Sequence, residues 1–216
     1  MSRWQCSVAA LRILKKAGQM EEFKVIITQE EINELPLGVF EGKIHLITNR
    51  EQAEEIGRAL QNEPLLGFDT ESRPSFKKGQ HYPIALMQFS TESDAYLFKV
   101  SKTGVPQSLK DLFSNPRVAK IGLGLQQDLS EMNAKGMACA NFIDLEKIAA
   151  THKFKQRGIR ALAAYFLKLR ISKSAQKSNW ARDDLSPAQL KYAATDAWTC
   201  LKIYQVMIEQ GFWKQG

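Results

Sequence analysis

Apolar residues along this chain recur at helical and at strand spacing in turn, and the alternation predicts its elements. Glu30–Leu35 reads as a short helix ended by Pro36 and Gly38. Lys43–Thr48 reads as a strand, and Arg50–Gln61 as an amphipathic helix with Ala53, Ile56 and Leu60 on one face. Leu65–Asp69 is a short apolar run bounded by Pro64, the pattern of a buried strand. Pro83–Ser90 and Ala95–Val100 read as strands, and the polar residues Thr91 to Asp94 between them predict a hairpin turn. Leu109–Phe113 predicts a short helix, Val118–Ile121 a strand, Leu125–Ala134 a helix, Asn141–Ile143 a strand and Leu145–Thr151 a helix. Arg160–Leu169 is strongly helical, and the polar stretch Ile171–Arg182 reads as a loop. Ser186 as N-cap and Pro187 at the first position start a last helix that runs to about Gln210, where Gly211 ends it. Antiparallel strands followed by alternating strands and helices predict an α/β fold, a mixed central sheet flanked by helices on both faces.

Length and composition narrow the class. With 216 residues, 44% of them hydrophobic, the chain can bury one sizeable core. We expect an N-terminal leader or extension over residues 1–40 and a single domain over residues 41–216. Met1 to Met20 holds no acid but carries Arg3, Arg12, Lys15 and Lys16. Arg12 interrupts the apolar stretch Cys6–Leu11 too early for a secretory signal, which leaves a transit peptide, a dispensable leader or a start at Met20 as readings. No apolar run approaches the roughly 18 residues of a membrane span, so no membrane partner is expected. Cys6, Cys139 and Cys200 are widely spaced and form no zinc pattern, which points to reduced thiols and a cytoplasmic setting. His45, His81 and His152 are equally scattered, and no catalytic role is assigned to them.

Charge is distributed unevenly. The formal net charge is +7, yet Lys147 to Arg182 contains ten Lys/Arg and no acid. Residues 151–216 carry twelve basic and four acidic side chains, whereas residues 1–150 carry eighteen and nineteen. A basic surface confined to the C-terminal third would attract a polyanion; a solvated basic helix face is the plainer alternative.

Acidic residues in three short stretches carry the candidate chemistry. Asp69 and Glu71 stand at the end of the apolar strand that begins at Leu65, and in extended chain residues i and i+2 point to the same side, with Thr70 facing away. Asp128 sits in the first turn of a helix, after a turn made possible by Gly122 and Gly124. Tyr192 and Asp196, four residues apart on the last helix, share a face. Each has a plain structural reading: acids are common at strand exits, and the helix dipole favours an acid at a helix start. Gly122-x-Gly124 is no dinucleotide fingerprint, since the third glycine is missing. Four carboxylates in one cavity would repel one another by roughly 4 kcal/mol per pair at about 4 Å and an effective dielectric near 20. Two divalent cations would remove that cost and could clamp a scissile phosphate, and all-oxygen ligation suits Mg²⁺ or Mn²⁺.

At this point the chain resembles the 3′–5′ exonucleases that carry four acids and a tyrosine, the group containing ribonuclease D and the Werner syndrome exonuclease domain. The resemblance spans roughly Lys43 to Gln210 and rests on LLGFDTES, KIGLGLQQDL and KSAQKSNWARDDLSPAQLKYAATDAWTCLKIY. It implies a ribonuclease H-like fold and a metal-dependent enzyme that releases nucleoside monophosphates from DNA or RNA 3′ ends. It also implies roles by position. Asp69 would bridge two metals, Glu71 and Asp196 would complete the first metal site, and Asp128 would support the second. Tyr192 and Glu71 would orient the attacking water. Extra nucleic-acid-binding or helicase domains of those relatives have no counterpart in this sequence, which bears on processivity and substrate choice.

The basic stretch gains a reading from this. Lys173, Lys177 and Arg182 precede the tyrosine helix, around Asn179 and Trp180, and would hold backbone phosphates; the alternative is that Lys173, Gln176 and Trp180 are structural, with Trp180 packing the loop onto the core. Arg73, Lys77 and Lys78 would flank the terminal nucleotide, and Phe76 and Tyr82 would stack on a base, unless this is only a surface loop. The competing functions are a non-catalytic nucleic-acid-binding module on the same fold and a scaffold with a basic face. No obligate protein partner can be inferred.

Overall fold

The computed structural model describes residues 26–75, 77 and 79–213. Residues 1–20, Cys6 among them, and Phe76 and Lys78 lie outside the described residues. The elements are α1 (Gln29–Asn33), β1 (Leu37–Gly38), β2 (Lys43–Ile47), α2 (Arg50–Ala59), β3 (Leu65–Ser72), β4 (Ile84–Ser90), β5 (Asp94–Phe98), α3 (Val100–Thr103), α4 (Gln107–Ser114), β6 (Ala119–Gly122), α5 (Gln126–Ala134), β7 (Phe142–Asp144), α6 (Leu145–Thr151), α7 (Ile159–Leu162), β8 (Arg170–Ile171) and α8 (Pro187–Glu209).

Six strands form one sheet in the order β2-β5-β4-β3-β6-β7. The pairs β3–β4 and β4–β5 are antiparallel, and β2–β5, β3–β6 and β6–β7 are parallel. Side-chain parity along β3 assigns its two faces. Phe68 enters a core with Phe89, Phe98 and the α2 and α4 residues Ala53, Leu109, Leu112 and Phe113, joined by Met132 of α5. The opposite face of the sheet is covered by α8, through Cys200, Ile203, Tyr204 and Met207 against Ala119 and Ile121. Helices therefore lie on both faces of a mixed sheet, as the order of elements predicts.

Ser186 starts α8 as expected. Its side chain accepts from the Gln189 N–H at 3.2 Å, and Gln189 Oε1 accepts from the Ser186 N–H at 3.0 Å. Gly67 sets how closely α8 approaches β3: a Cβ there would stand 2.0 Å from the Ala197 carbonyl oxygen. Only a glycine permits that helix-to-strand contact, which brings Asp69 and Asp196 to one place.

Three expectations need correction. β3 continues past Asp69 to Ser72, because Glu71 and Ser72 pair with Leu86 and Ile84 of β4. The helix expected over Arg160–Leu169 is α-helical only to Leu162. Ala163–Leu167 winds as a π-helix and Lys168, at φ 57°, ends it. The loop expected to start at Ile171 instead begins with β8, which pairs in parallel with β1.

Candidate active site

β3 holds two carboxylates on the face that α8 covers. Asp69 and Glu71 are half-buried, and Asp196 of α8 is 5% exposed. One carboxylate oxygen from each of the three lies within 4.8 Å of the others. Among the described residues, no ion pair includes Asp69, Glu71 or Asp196. Burial pushes Asp69 well above the ordinary carboxylate range, and the Asp196 and Asp128 charges add to it. Glu71 is pushed up to about 10, first by burial and then by Asp69, Asp196 and Asp128. Burial lifts Asp196 to about 7, against a hydrogen bond from Tyr192 that lowers it. Three carboxyl groups with only oxygen to offer and no cation of the protein beside them fit a hard divalent ion.

Tyr192 stands one turn before Asp196 and packs on the indole of Trp180, ring centroids 5.9 Å apart. Burial and the neighbouring carboxylates raise its hydroxyl far above the ordinary tyrosine value, so it stays protonated and donates. Trp180 is fully buried against Ala85, Leu86, Leu97 and Ala193, which decides its role: it packs the loop onto the core.

Asp128 stands beside this trio and not in it. Thr70, whose side chain leaves β3 on the other face, donates to Asp128 Oδ1 at 2.8 Å. Burial raises the Asp128 carboxyl, and the Thr70 bond partly offsets this. Its helix is placed by Asp144, at the end of β7. Asp144 Oδ1 accepts from the N–H groups of Gly124 (2.9 Å) and Glu146 (2.9 Å), and Oδ2 from Leu125 (3.2 Å). Gly124, at φ 68°, makes the turn between. Sequence reasoning missed Thr70, Asp144 and Gly67. A threonine between two acids and an acid at a helix start look alike whether or not they support a neighbour.

The site borders two cavities. One of about 370 Å³ is lined by Glu71, Asp128, Arg73, His81 and Tyr82. The other, of about 220 Å³, is lined by Leu37, Val39, Ser172, Tyr192 and Asp196. Arg73 is exposed, its guanidinium 4.8 Å from the centre of the Tyr82 ring. Lys77, Lys173, Lys177 and Arg182 are exposed as well, and among the described residues none of them forms an ion pair with Asp69, Glu71, Asp128 or Asp196. No described helix is long and apolar enough to cross a membrane.

The chain is similar to known proteins in sequence and in fold. Residues 44–211 match the family described as 3′–5′ exonuclease. Over 163 residues, 71% of its length, the chain is 34% identical to the mouse bifunctional 3′–5′ exonuclease/ATP-dependent helicase WRN, of which it spans only 11%. Its fold superposes on the EXO domain of Nibbler from Aedes aegypti with a TM-score of 0.70, at 23% identity, over 81% of this chain and 91% of that one. Escherichia coli RNase D gives a TM-score of 0.68 at 22% identity, over 78% of this chain and 45% of that one. The mixed sheet is thus that of a ribonuclease H-like domain.

Proposed function

The chain belongs to the 3′–5′ exonuclease family, and from that premise we propose that it removes nucleoside 5′-monophosphates from DNA or RNA 3′ ends by a two-metal mechanism. The observation that carries this reading is the meeting of three carboxylates without a countercharge, 4.8 Å or less apart, beside a protonated tyrosine. Two divalent cations, Mg²⁺ or Mn²⁺, held by Asp69, Glu71 and Asp196 with Asp128 in support, would activate a water and stabilise the leaving oxygen.

The chain's own residues do the rest. Tyr192 keeps its proton and donates it in a hydrogen bond to Asp196, so its oxygen orients the attacking water as a hydrogen-bond acceptor and does not act as a base. Glu71, on the same face, shares that task. The water oxygen bonds to phosphorus, the bond from phosphorus to the 3′ oxygen of the next nucleotide breaks, and that oxygen ends as a hydroxyl. Lys173, Lys177 and Arg182, exposed on the loop before α8, are assigned to backbone phosphates. Arg73 and Tyr82, in the cavity beyond Glu71, are assigned to the terminal nucleotide, with Lys77 beside them and Phe76 as a base-stacking residue by sequence alone. We assign the chemistry to a domain from residue 41 onward, behind an extension through residue 40, and an intracellular setting agrees with the free thiols of Cys139 and Cys200.

Labelled single-stranded and recessed-end substrates incubated with Mg²⁺ or Mn²⁺ test the reading. Stepwise shortening from the 3′ end by the wild type, and none by Asp69→Ala, is expected. Tight binding without shortening would replace the enzyme by a binding module. Equal cutting by both proteins would refute the site.

A further inference from the structure

Phe40 lies ahead of the family match, which begins at residue 44, yet it is bonded to the helix of the site. Its main-chain N–H donates to Thr195 Oγ1 at 3.0 Å, and that hydroxyl donates to the Lys191 carbonyl at 2.7 Å. Lys191 Nζ donates to the Phe40 carbonyl at 2.7 Å. The circuit is closed: both main-chain groups of one residue are held by two residues of α8. Those two residues immediately precede Tyr192 and Asp196.

The segment is anchored on either side. The Phe40 ring, 1% exposed, packs with Ala95, Ala194 and Trp198. Leu37 and Gly38 pair with Arg170 and Ile171, and Gly38 lies so close to Leu169 and Ile171 that a Cβ would meet both at 3.0 Å. Gly67 lets α8 approach the sheet, but a glycine cannot fix the rotation of the helix about its axis. Lys191 and Thr195 can, because neighbouring residues are turned by about 100° and the bonds grip α8 to one side of its catalytic face.

We propose that residues 37–40 form a positioning strap that sets the rotation of α8 and so aims the Tyr192 hydroxyl and the Asp196 carboxylate at Glu71 and Asp69. The proposal rests on the exonuclease reading for its effect on rate. Phe40 acts through Lys191 and Thr195 and touches no reacting atom. Misaimed groups cost turnover more than substrate binding, because the water must be in line only in the transition state.

Thr195→Val removes the hydroxyl at constant shape, and Lys191→Met removes the ammonium from an exposed side chain, so that at least one variant folds. Thr195→Ser and Lys191→Arg keep the donors, and Lys202→Met makes the same change elsewhere on α8. Thr195→Val is expected to lower kcat by roughly tenfold or more, and Lys191→Met by about threefold, with KM changed less than about twofold. The Ser and Arg variants should regain most of the rate, and Lys202→Met should match wild type. Amide exchange over residues 192–196 should speed up in the Val and Met variants alone. Unchanged kcat and unchanged exchange in the folded variants would overturn the strap, as would an equal loss of rate in Thr195→Ser. A wild type that shortens no 3′ end refutes the exonuclease reading instead, and the exchange rates still decide for or against the strap.

Discussion

Two sets of charges are withdrawn from water in this protein, and they are treated in opposite ways. Lys120 of β6 is fully buried, and its ammonium donates to the carbonyls of Leu112 (3.0 Å), Phe113 (3.4 Å) and Asn115 (2.9 Å) at the end of α4. Lys99, 1% exposed, donates to the carbonyls of Arg182 and Asp183 and so ties down the loop that leads into α8. The chain itself supplies the partners of both lysines, and Lys120 also lies where a helix dipole favours a cation. Asp69, Glu71 and Asp196 have a few hydrogen bonds from Thr70 and Tyr192, and otherwise one another. A buried charge with a structural task is satisfied by its own chain. One left unsatisfied costs stability, and its presence makes sense when the missing partner comes from outside.

Neutralising one acid should separate the two roles most sharply. Asp69→Asn is expected to lower exonuclease activity at least about a thousandfold, since on the two-metal reading Asp69 would hold the divalent cations. In chelator-treated protein the same change should raise the melting temperature, because it removes a buried acid whose ionisation burial and the neighbouring carboxyl groups oppose. A lower melting temperature would mean that the carboxylates are structural after all. Lys120→Met should do the reverse. It takes the ammonium from three carbonyls, of which Leu112 and Phe113 keep the N–H groups of Asn115 and Ala140 while that of Asn115 loses its side-chain donor, and is expected to cost about 1–3 kcal/mol, seen as a melting temperature lower by about 3–10 °C. Turnover per folded molecule should stay at the wild-type value, and a loss of activity without a loss of stability would break the comparison.

The pH dependence of stability carries the same contrast. Glu71 moves from its ordinary 4.5 to about 10 in the folded protein. Below the ordinary value both folded and unfolded chains hold the proton, and the group costs nothing. As pH rises from there toward 10, the unfolded chain releases its proton first, so unfolding gains. Asp69 and Asp196 shift the same way, Asp196 to about 7. Lys120, lowered by burial to about 8, has the opposite sign: its cost grows as pH falls from the ordinary lysine range through 8. Metal-free protein should thus lose stability between about pH 5 and 9 through its acids, and Mn²⁺ should restore more at pH 8.5 than at pH 6. Calorimetric melting at both pH values, with and without Mn²⁺, measures this. An Mn²⁺ gain independent of pH would show that the acids are already ionised in the folded protein.

Much of this arrangement was legible because local chemistry announces it. Ser186-Pro187 and Gly211 bracket α8, and the i, i+2 and i, i+4 spacings put Asp69 with Glu71 and Tyr192 with Asp196 on shared faces. What was not legible depends on distant partners. β1 and β8 are two residues each and become strands only by meeting across more than a hundred residues. Lys120 and Lys99 look like any surface lysine until the carbonyls around them are known. Asp69, Glu71 and Asp196 meet directly, while Asp128 is held to one side of them by the Thr70 hydroxyl, on the cavity it shares with Glu71. Spacing reveals which side chains share a face, and says nothing of which helix waits opposite the other face.

That separation gives the smallest and most local effect. Asp128 is neither left bare like the trio nor satisfied like the lysines: one hydroxyl, from Thr70, holds it at 2.8 Å. Thr70→Val keeps a β-branched side chain suited to the strand and removes only that donor. Without it the carboxylate loses the bond that offsets its burial, so the Asp128 pKa rises further above the ordinary value. The loss of about 1 kcal/mol corresponds to roughly a fivefold fall in rate at neutral pH. The acid limb of the pH–rate profile should move to higher pH in the variant, and the Mn²⁺ concentration for half-maximal rate should rise with it. Should the variant's profile and Mn²⁺ curve overlay the wild type, Asp128 would need no support from β3, and its place would be that of the unsatisfied trio.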